Sequence, residues 1–366
     1  MKIREYIQEN SIDIGTSGTK TYDLDYTDPI TQIDLFFEGT NGAGGNEESP
    51  FERCISKIEL IDGGEVLWDL PGEVALAAFC HDNEAMPYSE IEEAQSASIR
   101  QQIPIRFGRW LFDTDYALDP RKHKHPQLRF TFNEATINAA GTTGFVSDSW
   151  TFTLHVRLME GAPAPKGFLS YRSVESFTTA AGGARRVELP TDRKIRYLIC
   201  RAYEDGVALY TNITHHKLAA DGGKWVGFDL PARDFINRMC ETFKPLTRKF
   251  VAFITDEDVR ETFIGVPHNG HLNADIAGCI LTGNFYIYGQ VLVYRKNEGG
   301  AADTPGMTYI SNTGWAMHNT LIYAFGDRMK PEHWLDPKAF GKLDYFVTDG
   351  DAGADCDICL QQLYPY

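Results

Sequence analysis

The chain has 366 residues, 43% of them hydrophobic, and carries 35 Lys and Arg against 51 Asp and Glu, a formal net charge of −16. That length suits two domains of roughly 150–200 residues, each with enough apolar content to bury a core. A surface this acidic repels phosphate and anionic lipid as a whole, which leaves one short basic run, Arg121-Lys122-His123-Lys124-His125, as the place for any nucleic-acid contact.

Seven cysteines, an odd number without regular spacing, do not read as a disulfide framework and fit a reducing cytoplasm. Met1-Lys2-Ile3-Arg4-Glu5-Tyr6 is not followed by an apolar run, so no secretory signal is expected. No stretch reaches the about 18 apolar residues needed to span a bilayer. The expectation is a chain made in the cytosol that stays soluble unless exported inside a larger object.

In chain order, the dominant pattern is alternation. Ile33, Leu35 and Phe37 alternate with Asp34, Phe36 and Glu38. Asp62-Gly63-Gly64 is a tight turn before Glu65-Val66-Leu67-Trp68-Asp69-Leu70-Pro71. Asp69 is expected to cap a helix over 73–79, with Pro71 in its first turn. Asp119-Pro120 reads as a second capped turn, before the strand Gln127–Phe132. Trp150–Leu158 places apolar groups on one face and Thr, His and Arg on the other. Gly161-Ala162-Pro163-Ala164-Pro165-Lys166-Gly167 is a linker. Beyond it, Ile195, Tyr197 and Ile199 alternate again. Asp229 and Pro231 repeat the capping pattern for a helix to Met239, and Val251 and Phe253 fall on another strand. Phe285–Tyr294 is apolar or aromatic on both faces. Asp336-Pro337 is a further capped turn before 342–347. Period-two runs of this kind, punctuated by Gly, Asn, Asp and Pro, indicate antiparallel β-sandwiches. Glycine, at 33 of 366, exceeds the about 7% average and suits many turns.

The landmarks recur in order. Asp-Gly-Gly followed by Asp-Leu-Pro occurs at 62–71 and 221–231. Phe-Gly, then Leu-Asp-Pro, then a strand occurs at 107–132 and 325–347. A weaker pair is Tyr22-Asp23-Leu24 with Val187-Glu188-Leu189. Asp69 and Asp229 lie 160 residues apart and Asp119 and Asp336 lie 217 apart, so the second copy carries 57 extra residues. The expected organisation is an internal duplication: all-β, two tandem eight-stranded antiparallel sandwiches with short helices in loops. The first spans 1–160, the linker 161–167, and the second 168–366 with an insertion at about 240–315.

Ile103-Pro104-Ile105-Arg106-Phe107-Gly108-Arg109-Trp110, with Tyr116–Pro120 and Pro126–Arg129, resembles the first jelly roll of double jelly-roll major capsid proteins. These come from the lineage of adenoviruses and tailless, lipid-containing icosahedral phages. The resemblance implies homotrimers of pseudo-hexagonal outline that tile an icosahedral virion shell. It also implies synthesis in host cytoplasm, minor capsid or vertex proteins as partners, an internal membrane beneath the shell in some members, and no specific nucleic-acid binding. Insertions in this family commonly form towers on the outer surface.

Chemistry is sparse. Cys356-Asp357-Ile358-Cys359 has no second pair at zinc spacing and, on a strand, its thiols point to opposite faces. His123 and His125 share a face if they lie on a strand, and His215-His216 is a second pair, yet neither has an implied third ligand. The acidic groups Glu90, Glu92 and Glu93, Asp256-Glu257-Asp258, and Asp349, Asp351 and Asp355 read as solvated faces, with calcium at a subunit contact as the alternative. There is no phosphate-binding Gly-rich loop and no Gly-x-Ser-x-Gly elbow. No catalytic, cofactor or metal residue is assigned, no cofactor is expected, and the expected role is structural rather than enzymatic. Two alternatives remain: a carbohydrate-binding or adhesive jelly-roll protein, and a two-jelly-roll glycan amidase with paired carboxylates between its domains.

Overall fold

The structure is a computed structural model. It describes the chain apart from residues 44–45, 47–49, 91–95, 137–143, 205–206, 255–259, 264–267, 276–279, 282–289, 294 and 297–305, and between 250 and 310 it describes the backbone of the strands.

Eight strands make the first sandwich: β1 (Lys2–Asp13), β2 (Ser17–Asp23), β3 (Ile30–Thr40), β4 (Ile55–Asp62), β5 (Glu65–Leu70), β6 (Ser98–Arg106), β7 (Pro126–Asn133) and β8 (Thr151–Glu160). They form two four-stranded antiparallel sheets, ordered β1-β8-β3-β6 and β2-β7-β4-β5. Short helices α1 (Phe51–Cys54) and α2 (Gly72–Asn83) precede β4 and follow β5. The alternation read from sequence is the reason for the layering. Ile33, Leu35 and Phe37 of β3, Phe152 and Leu154 of β8, and Leu128, Phe130 and Phe132 of β7 all point inward and are buried. Phe37, Phe130, Phe152 and Trp150 interlock with ring centroids 4.8–6.0 Å apart.

The second sandwich repeats this plan with β9 (Gly167–Thr178), β10 (Ala184–Leu189), β11 (Ile195–Tyr203), β12 (Ile213–Ala220) and β13 (Trp225–Pro231), then β21 (Thr320–Ala324), β22 (Leu343–Asp349) and β23 (Asp355–Pro365). Its sheets run β9-β23-β11-β21 and β10-β22-β12-β13, the same order strand for strand. Helices α3 (Leu209–Asn212) and α4 (Ala232–Thr242) take the places of α1 and α2. Between α4 and β21 lie β14 (Leu246–Ile254), β15 (Arg260–Phe263), β16 (His268–Asp275), β17 (Ile280–Leu281), β18 (Gln290–Val293), β19 (Arg295–Lys296) and β20 (Gly306–Trp315). The rest of the run read as a strand over 285–294, residues 285–289 and 294, lies outside the described residues.

Register confirms the repeat residue by residue. Leu60 of β4 pairs with Trp68 and Leu128, and Leu218 of β12 pairs with Phe228 and Tyr345. Asp69 and Asp229 therefore occupy one position, as do Tyr22 and Val187. Ile30 bridges Leu118 as Ile195 bridges Leu335.

The turn residues behave as read, with one correction. Asp119 and Asp336 each begin a 3-10 turn and accept the N–H two residues on, Arg121 and Lys338, with Pro in the first turn. Asp69 and Asp229 cap nothing. The N-caps of α2 and α4 are Pro71 and Pro231, without a side-chain cap bond. The strands run straight into the helices, so each Asp sits two residues too early, inside β5 and β13. Asp62 and Asp221, in the Asp-Gly-Gly turns, carry the equivalent contacts. Asp62 accepts the N–H of Lys124 and His125, and Asp221 those of Gly341 and Lys342.

Candidate assembly surface at the joint between the sandwiches

Helix α2 is apolar on every side: Val74, Ala75, Leu76, Ala77, Ala78 and Cys80 are all buried. A helix of that kind needs neighbours all round. On one side it packs on β6 of its own sandwich. On the other it meets β21 and the 3-10 turn Met317–Asn319 of the second sandwich. The strand β11, beneath this joint, is buried at all nine positions because one face lines its own core and the other faces the first sandwich.

Polar groups at the joint are paired in detail. Asp82, near the end of α2, accepts from both terminal nitrogens of Arg196, each at 2.9 Å, and from the Tyr197 hydroxyl at 2.6 Å. Arg196 also donates to Gln361 and to the Arg328 carbonyl. Glu73 meets Arg201, which also reaches Asp357 at 3.4 Å. Glu52 of α1 lies 3.1 Å from Arg248 and 3.0 Å from His318. Burial alone would raise the Glu52 carboxyl, but Arg248 and His318 hold it down at about 2. His81 accepts the Met317 N–H and is kept neutral by burial, its pKa pushed down to about 3. Glu84, in a left-handed conformation at the end of α2, bonds Arg328 at 2.7 Å.

Strand β5 completes the joint against β9. Asp69 accepts the Ser173 N–H at 3.3 Å, the Ser170 hydroxyl donates to the Leu67 carbonyl, and Trp68 sits edge-on to Tyr171 at 5.8 Å. Burial raises the Asp69 carboxyl. Desolvating so many charges costs most of what their attraction returns, so the network fixes orientation more than it adds stability.

The residues singled out from sequence are scattered. Cys356 and Cys359 are both buried free thiols in β23. His123 and His125 do not share a strand face, because β7 begins only at Pro126. His123 turns inward against Phe168, Tyr364 and Tyr366, 3.6 Å from Asp62, while His125 points out to Asp23 at 3.3 Å. His215 faces Asp229, whereas His216 is buried, stacked on Phe235 and 2.6 Å from the Tyr345 hydroxyl. Arg121 folds back onto Asp119. Asp349 is buried and accepts the Ala180 N–H. Glu90 bonds Tyr88. Glu92, Glu93 and Asp256-Glu257-Asp258 lie outside the described residues. Among the described residues no three His, Cys, Asp or Glu cluster as metal ligands, and no helix is long and apolar enough to cross a membrane. A groove of about 570 Å³ on the outer face of β10, β22 and β12 gathers Arg185, Arg186 and Lys217, each already paired with a carboxylate.

The joint's charged residues were missed from sequence. Two signals could have found them: a helix apolar on all sides, and arginines inside the apolar run of β11.

Two tandem sandwiches of eight strands with one shared strand order define a double jelly roll. No protein-family model matches the chain, and no curated protein matches it in sequence. Solved structures match it end to end. VP54 of PBCV-1, in a crystal structure fitted into a reconstruction of the virophage Sputnik, has a TM-score of 0.59 at 12% identity, over 99% of this chain and 93% of that one. The STIV MCP gives 0.58 at 10% identity, over 100% and 97%. The major capsid protein P2 of bacteriophage PM2 gives 0.55 at 9% identity, over 99% and 98%. At these identities the likeness is one of fold.

Proposed function

We propose that this chain is a major capsid protein whose trimers, pseudo-hexagonal in outline, tile an icosahedral virion shell. The observation that carries the reading is the duplicated strand order over the whole chain, together with end-to-end likeness in fold to the STIV MCP and the major capsid protein P2 of bacteriophage PM2. Two similar sandwiches per chain give six similar walls in a trimer, and closed cyclic symmetry stops association from running on. The chain divides at 161–167, and the residues at about 240–315 project from the second sandwich. Its partners are further copies of itself, minor capsid or vertex proteins and, beneath the shell, a membrane. It is made in host cytoplasm and resides in the virion.

The role is structural rather than enzymatic. A glycan amidase needs free carboxylates between its sandwiches, and Asp82, Glu73 and Glu52 there are engaged by Arg196, Arg201 and Arg248. The exposed Trp110 has the Arg109 guanidinium 4.2 Å over its ring, which weighs against sugar stacking on that face. The test is the mass of the purified chain in solution. A species of three chain masses that survives dilution, and associates further as salt or calcium screens its acidity, supports the reading. A chain monomeric at high concentration overturns it.

A further inference from the structure

The duplication carries its own control, and one stretch of the second copy departs from it. By register, residues 316–319 correspond to Ser98, Ile99, Arg100 and Gln101, since Thr320 pairs with Arg201 as Gln102 pairs with Phe36. In the first sandwich those four residues belong to β6 and pair with β3 as far as Thr40. In the second the ladder stops at Thr320, and Ala316, His318 and Asn319 take φ of +56°, +52° and +55°. Asparagine tolerates that region, whereas alanine and histidine enter it at a cost. All of 316–319 is buried. The Asn319 amide and the Thr320 hydroxyl are buried without a hydrogen-bond partner among the described residues. A strained, under-bonded turn in place of a strand persists only where its surroundings hold it.

What holds it comes from the first sandwich. The Met317 N–H donates to His81 Nε2 at 3.2 Å, and His318 Nε2 lies 3.0 Å from Glu52. The same turn roots the insertion. β20 ends at Trp315, whose indole N–H donates to the Phe243 carbonyl, and Arg248 of β14 reaches Glu52 at 3.1 Å. The charged and titratable groups around the turn are His81 and Glu73 of α2, Glu52 and Arg53 of α1, Arg201 and Tyr203 of β11, and Arg248 of β14. Phe243 sits edge-on to His81 and carries the Arg328 guanidinium, paired with Glu84, over its own ring. Burial is what keeps His81 neutral.

We propose that residues 316–319 are a latch released by acid. Closed, the left-handed turn ties the root of the insertion to the first sandwich. A proton on His81 Nε2 turns the acceptor of the Met317 N–H into a donor, so the bond is lost and the strain in the turn is no longer opposed. Residues 316–319 then straighten towards the strand their counterparts form, with Asn319 against Ala202 and His318 against Tyr203. The root of the insertion leaves the first sandwich. The inference concerns one chain and stands apart from the assembly reading.

Linkage sets the sign. The proton goes to the open form, whose His81 titrates near 6.5, and not to the closed form, whose value is about 3. Lowering the pH across that interval favours opening, about tenfold per pH unit.

The test is hydrogen exchange of the full chain, read by mass spectrometry on peptides covering 316–319, with β3 for comparison. Protection of 316–319 should fall about tenfold per pH unit below about pH 6.5 while β3 stays protected. His81→Gln keeps an acceptor that does not titrate, and should remove that fall. Ala316→Gly relieves left-handed strain, so it should raise protection at neutral pH roughly tenfold and move the opening about one pH unit lower. Ser98→Gly, at the counterpart position in β6, should raise nothing. If His81→Gln does not fold, the two glycine variants decide. Protection of 316–319 that falls only in step with β3, an unchanged slope in folded His81→Gln, or no gain with Ala316→Gly overturns the latch.

Discussion

Arg196 of the second sandwich is fully buried, and both oxygens of Asp82, from the first, lie 2.9 Å from its terminal nitrogens. The pair crosses the joint, so each sandwich supplies the counter-charge the other cannot do without. Replacing Asp82 by Ala leaves a guanidinium in a dry site with only carbonyl and amide partners. The expected loss is about 3–5 kcal/mol, measured by chemical denaturation. Asp82→Leu with Arg196→Met should cost clearly less than Asp82→Ala, since no bare charge is left. Equal losses would show that the pair's charge is irrelevant.

Acid should loosen the molecule well before its carboxylates titrate. His81 and His216 have pKa values pushed down to about 3 by burial, and burial also lowers His318. Between their unfolded value near 6.5 and their folded values, the unfolded chain binds protons that the native chain does not. Stability therefore falls as pH falls through this window, by about 1.4 kcal/mol per pH unit for each such histidine. Glu52, held at about 2, adds a second loss below its unfolded value near 4.5. Melting temperature should drop from pH 7 to pH 4, and His216→Gln should flatten that slope. A melting temperature constant over that range would contradict the burial of these rings.

The sandwiches were legible in sequence because their strands carry a two-residue period and their turns carry residues with no other use. Asp69 paired with Asp229, and Tyr22 with Val187, hold in the observed register. The capping role given to Asp69 failed because capping needs the residue next to the helix, and only the backbone path shows that Pro71 takes that place. The joint was illegible for a different reason. Arg196, Arg201 and Glu73 look like ordinary polar positions of a half-exposed strand or helix. That the two arginines are buried and Glu73 is half-buried depends on which sandwich lies over them, and periodicity reports one face at a time.

The Phe-Gly landmark has a steric cause that a substitution can read. Gly326 has φ of +68°, and a Cβ there would lie 2.5 Å from the His333 carbonyl oxygen. At the matching Gly108 a Cβ would lie 2.6 Å from the Tyr116 oxygen. Gly326→Ala combines left-handed strain with a backbone clash and should cost about 1–3 kcal/mol in unfolding free energy. Gly108→Ala should cost less, having the clash without the positive φ. An alanine tolerated at both sites would mean that these loops relax freely.

Helix α2 makes the sharpest prediction, because the chain itself contains the comparison. Ala78 is buried on α2, the helix that meets both sandwiches, and its counterpart in α4 is the exposed Arg238. Ala78→Arg places a long cation on that buried helix, with no acid aimed to receive it: Asp82 is taken by Arg196, and Glu73 by Arg201. The aromatic centre of the first sandwich, Phe37, Phe130 and Phe152, comes from β3, β7 and β8. The variant should therefore open the joint before it unfolds either sandwich. Calorimetry should show two transitions where the wild type shows one, the lower shifted down by the order of 10 °C for a loss of several kcal/mol. A single transition at the wild-type temperature would mean that α2 is not the element that binds the two sandwiches together.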